Sequence, residues 1–458
     1  MGGHKSTQFS NGELRNVYIS AAEDNGRIGW HDFPGLKLVS SGTGADRGHH
    51  DFGGVRYLIN GTTLYKETSS GTRTSVGTIP GSDRAIFADN GTTLAIVANN
   101  VLYYTTGASV STSSQTVVTS PQWVFVSNTA FVIGNSSIFA VSDPSDITSF
   151  NALNFASPEA VGDALIRGYW FNDLSYFFGT KSIETWFYSG NGNPPLDKRN
   201  NALINIGVAG KYAVCNSDQY LYWLTDDRKV YQAIGASGRE IDTSTVSHIL
   251  RGYSVVSDCI ASDFKIDGQQ FILFKFPTAG DTLIYSEQNN YWATLSAGTD
   301  KNARASWYGN AVQYCYDKNL VTDYRNGNTY ELDLYTYTDN GDTRLRIITG
   351  PPITGAAIGK PQNQVTASSL MIPMQTGKGL ATGHGSDPEI MCEWSPEGGE
   401  VWDTQEQISI GIMGDYKKKV MFYDFVTGYE LVPRVMWSDP VPVSIYSGGV
   451  VELYDGGY

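Results

Sequence analysis

Residues 164–233 read ALIRGYWFNDLSYFFGTKSIETWFYSGNGNPPLDKRNNALINIGVAGKYAVCNSDQYLYWLTDDRKVYQA. Short aromatic and β-branched runs alternate with turn residues, the pattern of antiparallel strands joined by tight loops. Tyr169-Trp170-Phe171 passes through Asn172-Asp173 into residues 175–178, and Gly179-Thr180-Lys181 leads on to residues 183–188. A second meander follows, in which residues 220–224 reverse at Asp226-Asp227 into Lys229-Val230-Tyr231. Asn-Asp and Asp-Asp suit such reversals because short polar side chains bond the local backbone and tolerate positive φ.

Working outward, similar units recur along most of the chain. Two of them, from Phe52 and from Arg84, share the pentamer Asn-Gly-Thr-Thr-Leu, at 60–64 and 90–94, where Asn-Gly suits a type I′ hairpin turn. Others start near Trp123, Cys259 and Arg304. A sheet unit this small cannot bury its apolar face alone, so copies must pack on one another. The fold class expected is all-β: a six- or seven-bladed β-propeller over residues 41–338, preceded by an extended N-terminal arm, 1–40, and followed by a sandwich-like C-terminal β domain, 339–458. One segment departs from this pattern. Residues 240–253 place Val246, Ile249, Leu250 and Tyr253 at helical spacing after capping candidates Asp242, Thr243 and Ser244, which predicts one amphipathic helix on a blade face.

The composition agrees. Of 458 residues, 50 are glycine, 28 tyrosine and 10 tryptophan, and 41% are hydrophobic against 17% charged. No apolar run approaches the roughly 18 residues of a membrane span, and the first residues lack the apolar core of a signal peptide. The four cysteines, 215, 259, 315 and 392, lack paired spacing and read as buried free thiols of a protein folded in a cytosol. Lys plus Arg is 32 and Asp plus Glu is 46, a net charge of −14. Such a chain repels polyanions, which argues against general nucleic-acid binding.

Candidate chemistry reads as structure. Residues 395–402, SPEGGEVW, resemble the Asp-box hairpin of sialidase propellers with Glu397 where Asp is usual, but a single copy outside the repeats reads as a turn. A glycosidase would need paired carboxylates or an arginine cluster converging in a pocket; acids are too abundant here to nominate a pair, and Asp226-Asp227 and Asp339 with Asp342 sit in turn contexts. His49-His50-Asp51 could supply metal ligands, yet adjacent histidines on a strand point to opposite faces, so they read as surface residues. Gly53-Gly54 and Gly448-Gly449 lack the Gly-Lys-Ser/Thr ending of a phosphate loop and read as turns or bulges. Lys417-Lys418-Lys419, the basic run, precedes a hydrophobic strand and reads as an edge charge that blocks unwanted pairing. No catalytic, metal or cofactor residue is proposed.

Several segments together resemble a known family, the tail hub or nozzle proteins of short-tailed bacteriophages, also called packaged-DNA stabilisation proteins. They are Pro34-Gly35 in FPGLKLV, Asn60-Gly61 and Asn90-Gly91 in the shared pentamers, Lys181-Ser182 and Glu184 in GTKSIETWFYSG, Asp226-Asp227-Arg228 in LYWLTDDRKVYQ, and Asp439-Pro440 in MWSDPVPVSIYSG. The resemblance implies a virion tail protein, assembled in the bacterial host cytoplasm. It implies a homo-oligomer, six copies in a closed ring, below a head-to-tail adaptor, retaining the packaged genome and supporting a tail needle or fibres and spikes, with genomic DNA passing through without specific binding. An acidic channel wall would not hold passing phosphates. Assembly contacts are expected in the arm, at Val246 and Leu250 of the helix, and at Lys417, Lys418 and Lys419. The rival readings are a propeller glycosidase and a carbohydrate-binding tail adhesin.

Overall fold

The computed structural model describes residues 3–7, as backbone, and residues 12–20, 28–158, 162–235, 237–423, 425–446 and 448–457. Residues 1–2, 8–11 and 21–27 of the expected arm lie outside the described residues.

Tight turns build the repeating unit. Asn172 and Asp173 have φ of 50° and 61°, so Leu165–Phe171 and Leu174–Gly179 are joined by the type I′ turn their residues favour. Ile183–Tyr188 and Leu196–Ile204 complete a four-stranded antiparallel blade. At the second reversal Arg228 takes the left-handed position, φ 63°, after Asp226-Asp227.

Seven such blades form the ring. Their first strands are Asp46–Phe52, Ile86–Asp89, Trp123–Ser127, Leu165–Phe171, Val214–Asn216, Ile260–Ile266 and Gly309–Cys315, and that of the seventh blade approaches that of the first. Apolar side chains fill the spaces between blades. Trp123 of blade 3, fully buried, lies against Gly168 of blade 4, where a Cβ would come within 2.4 Å of the indole.

The seventh blade is composite. Gly309–Cys315, Lys318–Asp323 and Thr329–Asp333 supply three strands, and the fourth is Gly35–Ser40, antiparallel to Thr329–Asp333. Residues 35–40 therefore belong to the propeller rather than to the expected arm. Pairing decides this: the unmatched edge of Thr329–Asp333 needs a partner, and Leu36 reaches full burial only there.

The rest of the N-terminal segment is threaded through the C-terminal domain. Leu14–Arg15 pairs in parallel with Tyr291–Thr294 of blade 6 and antiparallel with Arg346–Thr349, so one continuous sheet runs from blade 6 into Glu430–Trp437, Glu389–Ser395 and Glu406–Ser409. Asn16, fully buried with φ 55°, holds this weld: its amide donates to the carbonyls of Ser296 and Leu345, both at 2.8 Å, and accepts from Ser296 N at 3.0 Å. A second sheet, Gly3–Thr7, Gly449–Gly457, Gln364–Ile372, Val420–Phe422 and Val426–Gly428, shares its core with the first, including Ala367, Leu370, Trp394 and Val435. This is the sandwich-like domain, and its core is continuous with blades 6 and 7.

The single α-helix among the described residues is Ser244–Gly252, with the Thr243 side chain accepting from Val246 N. No helix among them is long and apolar enough to cross a membrane.

Buried Arg344 fastens the closure. It donates to the carbonyls of Phe33 and of Pro34, the latter at 3.0 Å, and pairs with buried Asp339 at 3.0 Å. Arg344→Gln leaves the buried carboxylate of Asp339 without its ion-pair partner, so a loss of about 3–5 kcal/mol is expected in urea unfolding at neutral pH. A loss below about 1 kcal/mol, the range of a surface pair, would show that this arginine does not hold the closing strand.

Candidate functional site

Some of the residues that carry the family resemblance occupy joints. A Cβ on Gly35 would lie 2.2 Å from the carbonyl oxygen of Thr336, so only glycine lets the closing strand enter its slot. Asn60 is buried and donates to Gly327 O at 3.1 Å, tying blade 1 to blade 7. Gly61 alone is left-handed in that turn, φ 56°, and Asn60 pairs with Thr63, so the turn is of type II′ rather than I′. The second pentamer makes a different, four-residue loop in which Asn90 Oδ1 accepts from the amides of Thr92 and Thr93.

The Lys181 and Ser182 amides donate to Asp163 at 2.6 and 3.1 Å. Glu184 is buried, accepts from Trp186 Nε1 at 3.0 Å and pairs with Lys198 at 3.1 Å. Arg228 reaches the carbonyl of Tyr253 at 3.1 Å, fixing the hairpin to the end of the helix. Asp439 receives the amide of Glu389 at 2.8 Å and faces His384 at 2.9 Å; Pro440 follows it beside Gly385. Gly35, Asn60 and Arg228 tie separate elements together, whereas Lys181, Ser182 and Glu184 make contacts within blade 4 and Asp439 within the C-terminal domain.

Two expectations about contacts need correction. Val246 and Leu250 are 3% and 0% exposed in the core of blades 4 to 6, so they cannot meet another chain; the helix turns Thr245, His248 and Arg251 outward instead. Periodicity finds the apolar face of a helix, and that face was already taken by its own propeller. His49 and His50 are half-buried on the innermost strand of blade 1 and are not on the outer surface. They do diverge: His49 Nδ1 lies 3.3 Å from Thr322 Oγ1 of blade 7, and His50 Nε2 lies 2.7 Å from Asp89 of blade 2.

Lys417, Lys418 and Lys419 are exposed and enter Val420–Phe422, an edge strand of the second sheet. Near them in sequence are six exposed apolar side chains, Ile412, Met413, Tyr416, Tyr423, Phe425 and Tyr429, each 54% exposed or more. Sequence reading missed this strip because aromatic residues in a β protein default to core. The SPEGGEVW segment is a turn, with Ser395 Oγ accepting from Glu397 N at 3.3 Å and Gly399 N at 2.9 Å, and Trp402 covers the guanidinium of Arg434 at 3.8 Å. The four cysteines are free and buried.

Inside the ring the innermost strands leave an axial cavity of about 140 Å³, bounded by Gly48 and His49 of blade 1, Arg84 before blade 2, Arg167 of blade 4, Tyr212 before blade 5 and Ala261 of blade 6. Burial, then the nearby Arg56, Arg84 and His50, hold His49 well below the usual imidazole range, so it is neutral in a positive surrounding.

A closed propeller welded to a β-sandwich defines an all-β scaffold. A family model described as Bacteriophage P22 Gp10, beta-propeller, matches residues 2–337, and the chain belongs to that family of phage stabilisation proteins. Comparison with curated proteins finds no match. Among solved structures, the computationally designed Ika8 protein aligns over 72% of this chain and 100% of its own at 10% identity and a TM-score of 0.40. The N-terminal domain of Nup159 aligns over 70% and 98% at 12% and 0.42. BamB from Moraxella catarrhalis aligns over 65% and 97% at 12% and 0.35. The family match and the blades themselves carry the assignment.

The joint of blades 1 and 7 is titratable. Glu67, 1% exposed, pairs with Arg56 at 2.5 Å and Arg73 at 2.9 Å and accepts from Ser40, while Arg56 also reaches Thr322 and Thr329 of blade 7, each at 2.7 Å. Burial pushes the Glu67 carboxyl up, but the two arginines and Ser40 outweigh it and hold it below its usual value. A depressed carboxylate stabilises the fold fully above its unfolded pKa, about 4.3, and that contribution vanishes as pH falls through the folded value. In urea unfolding, wild type is expected to exceed Glu67→Gln in stability at pH 7, with the gap closing as the pH is lowered below about 4; a gap independent of pH would contradict the ion-pair account.

Proposed function

We propose that this chain is a tail hub or nozzle subunit of a short-tailed phage virion, a non-enzymatic structural protein whose copies close into a ring, six by family expectation, below the head-to-tail adaptor. The ring helps retain the packaged genome, supports the tail needle or fibres, and leaves a conduit for ejection. The observation that carries this reading is the family match over residues 2–337. Three features support it. The cavity of about 140 Å³ between the innermost strands favours a DNA path between chains over one through a single propeller. The exposed strip from Ile412 to Tyr429 offers the aromatic anchors that subunit interfaces favour. The net charge of −14 suits a wall that does not retain passing phosphates.

The test is electron microscopy of purified tails labelled with an antibody against the C-terminal domain. Label is expected in a ring around the exit channel below the adaptor; label confined to peripheral spikes would reject the hub. A double change, Tyr423→Ser with Phe425→Ser, is expected to leave the unfolding midpoint of the isolated chain within about 0.5 kcal/mol, as exposed substitutions usually do, while reducing incorporation into tails at least tenfold. Undiminished incorporation would remove this strip from the assembly surface.

A further inference from the structure

Several charges near the propeller axis are paired. Arg84 pairs with Asp46 at 3.1 Å, and Asn310 also reaches Asp46 at 3.1 Å. Asp83 is occupied by Arg47 at 3.3 Å and by the amide of Asn99 at 2.8 Å, and Asp89 by His50 at 2.7 Å. Arg167 lines the same cavity and has no carboxylate within ion-pair distance among the described residues. One of its guanidinium nitrogens donates to Lys211 O at 3.1 Å, and the group lies 5.7 Å over the ring of Tyr169. Its Nε is cut off from solvent and has no hydrogen-bond partner. Lys211, its Nζ 5.1 Å over the Tyr212 ring, adds a second cation without an ion pair among the described residues.

A guanidinium with a buried Nε that has no acceptor, and with no carboxylate partner, is costly unless an acceptor or counter-charge reaches it. Burial pulls its pKa down, but only to about 10, so it remains charged at neutral pH. Arginine's planar fork is the side chain best matched to a tetrahedral oxyanion. The size of the cavity narrows the choice: about 140 Å³ accommodates several waters and falls well below the roughly 300 Å³ at which drug-sized ligand pockets begin.

We propose that the axial cavity is a binding site for one small oxyanion of the phosphate class, held by Arg167 with Arg84 as the second cationic ligand. Bound there, the anion cancels the unpaired charge and ties blade 4 to blades 1 and 2 across the axis. It therefore stabilises the ring from inside, independently of any DNA outside it.

The test is thermal unfolding of the full chain against increasing inorganic phosphate, with sodium chloride at matched ionic strength as control. Wild type is expected to show a midpoint that climbs steadily with phosphate concentration, as mass action requires of a ligand of the native state, and chloride is expected to give no such climb. Arg167→Gln, which removes the unpaired charge, is expected to unfold no earlier than wild type without phosphate and to lose the climb. Isothermal titration of wild type with phosphate, expected to give about one anion per chain, decides the matter if that variant does not fold. Equal responses to phosphate and chloride, a variant that keeps the climb, no heat above the chloride control, or a response to duplex DNA in place of inorganic phosphate would each overturn the proposal.

Discussion

The structure depends on a ladder between strands nearly 300 residues apart, Gly35–Ser40 against Thr329–Asp333. Without it the seventh blade would present an open edge, and the ring of blades would lack its last shared face. The ladder is reinforced where backbone pairing stops. Arg344 gathers the carbonyls of Phe33 and Pro34, and the Arg56, Arg73 and Glu67 cluster joins blade 1 to Ser40, Thr322 and Thr329. Buried ion pairs do not stabilise cheaply, since desolvation offsets much of their attraction. Their value here is positional, because each charge is satisfied only when the closing strand sits in one register.

The same N-terminal segment joins the two architectural units. Leu14–Arg15 continues the sheet of blade 6 into the C-terminal sandwich, Asn16 pins that passage, and Asp32 receives Arg346 at 2.8 Å and Trp437 Nε1 at 2.9 Å. Cores of blades 6 and 7 and of the sandwich are consequently one cluster. A propeller and sandwich built this way are joined by a continuous sheet and a shared core.

Much of the fold was legible. Blade strands showed themselves where aromatic and β-branched runs met turn pairs, and Asn172-Asp173 adopts the conformation its residues favour. Outer strands were not legible: Ser237–Glu240 is exposed throughout, so it lacks the alternation that marks a half-buried strand. The Asn-Gly-Thr-Thr-Leu pentamers misled in detail. The first joins strands two and three of blade 1 and the second joins strands one and two of blade 2, so an identical five-residue match is not an equivalent position. At the site level, joint residues such as Gly35 and Asn60 were visible as motifs, whereas Arg167 carried no signal, since nothing in sequence says that an arginine lacks a partner.

By itself the sequence determined the all-β class, the repeated meander, the single helix with its buried face, and the family, because these follow from local periodicity, turn chemistry and side-chain type. Only the tertiary structure decided that there are seven blades, that residues 35–40 complete the last of them, that His49 and His50 stand at the axis, and that Tyr423 and Phe425 are exposed. Those facts depend on which strand edges meet across hundreds of residues. Hydrogen-bond pairing and shared burial settle that globally, and no local pattern records it.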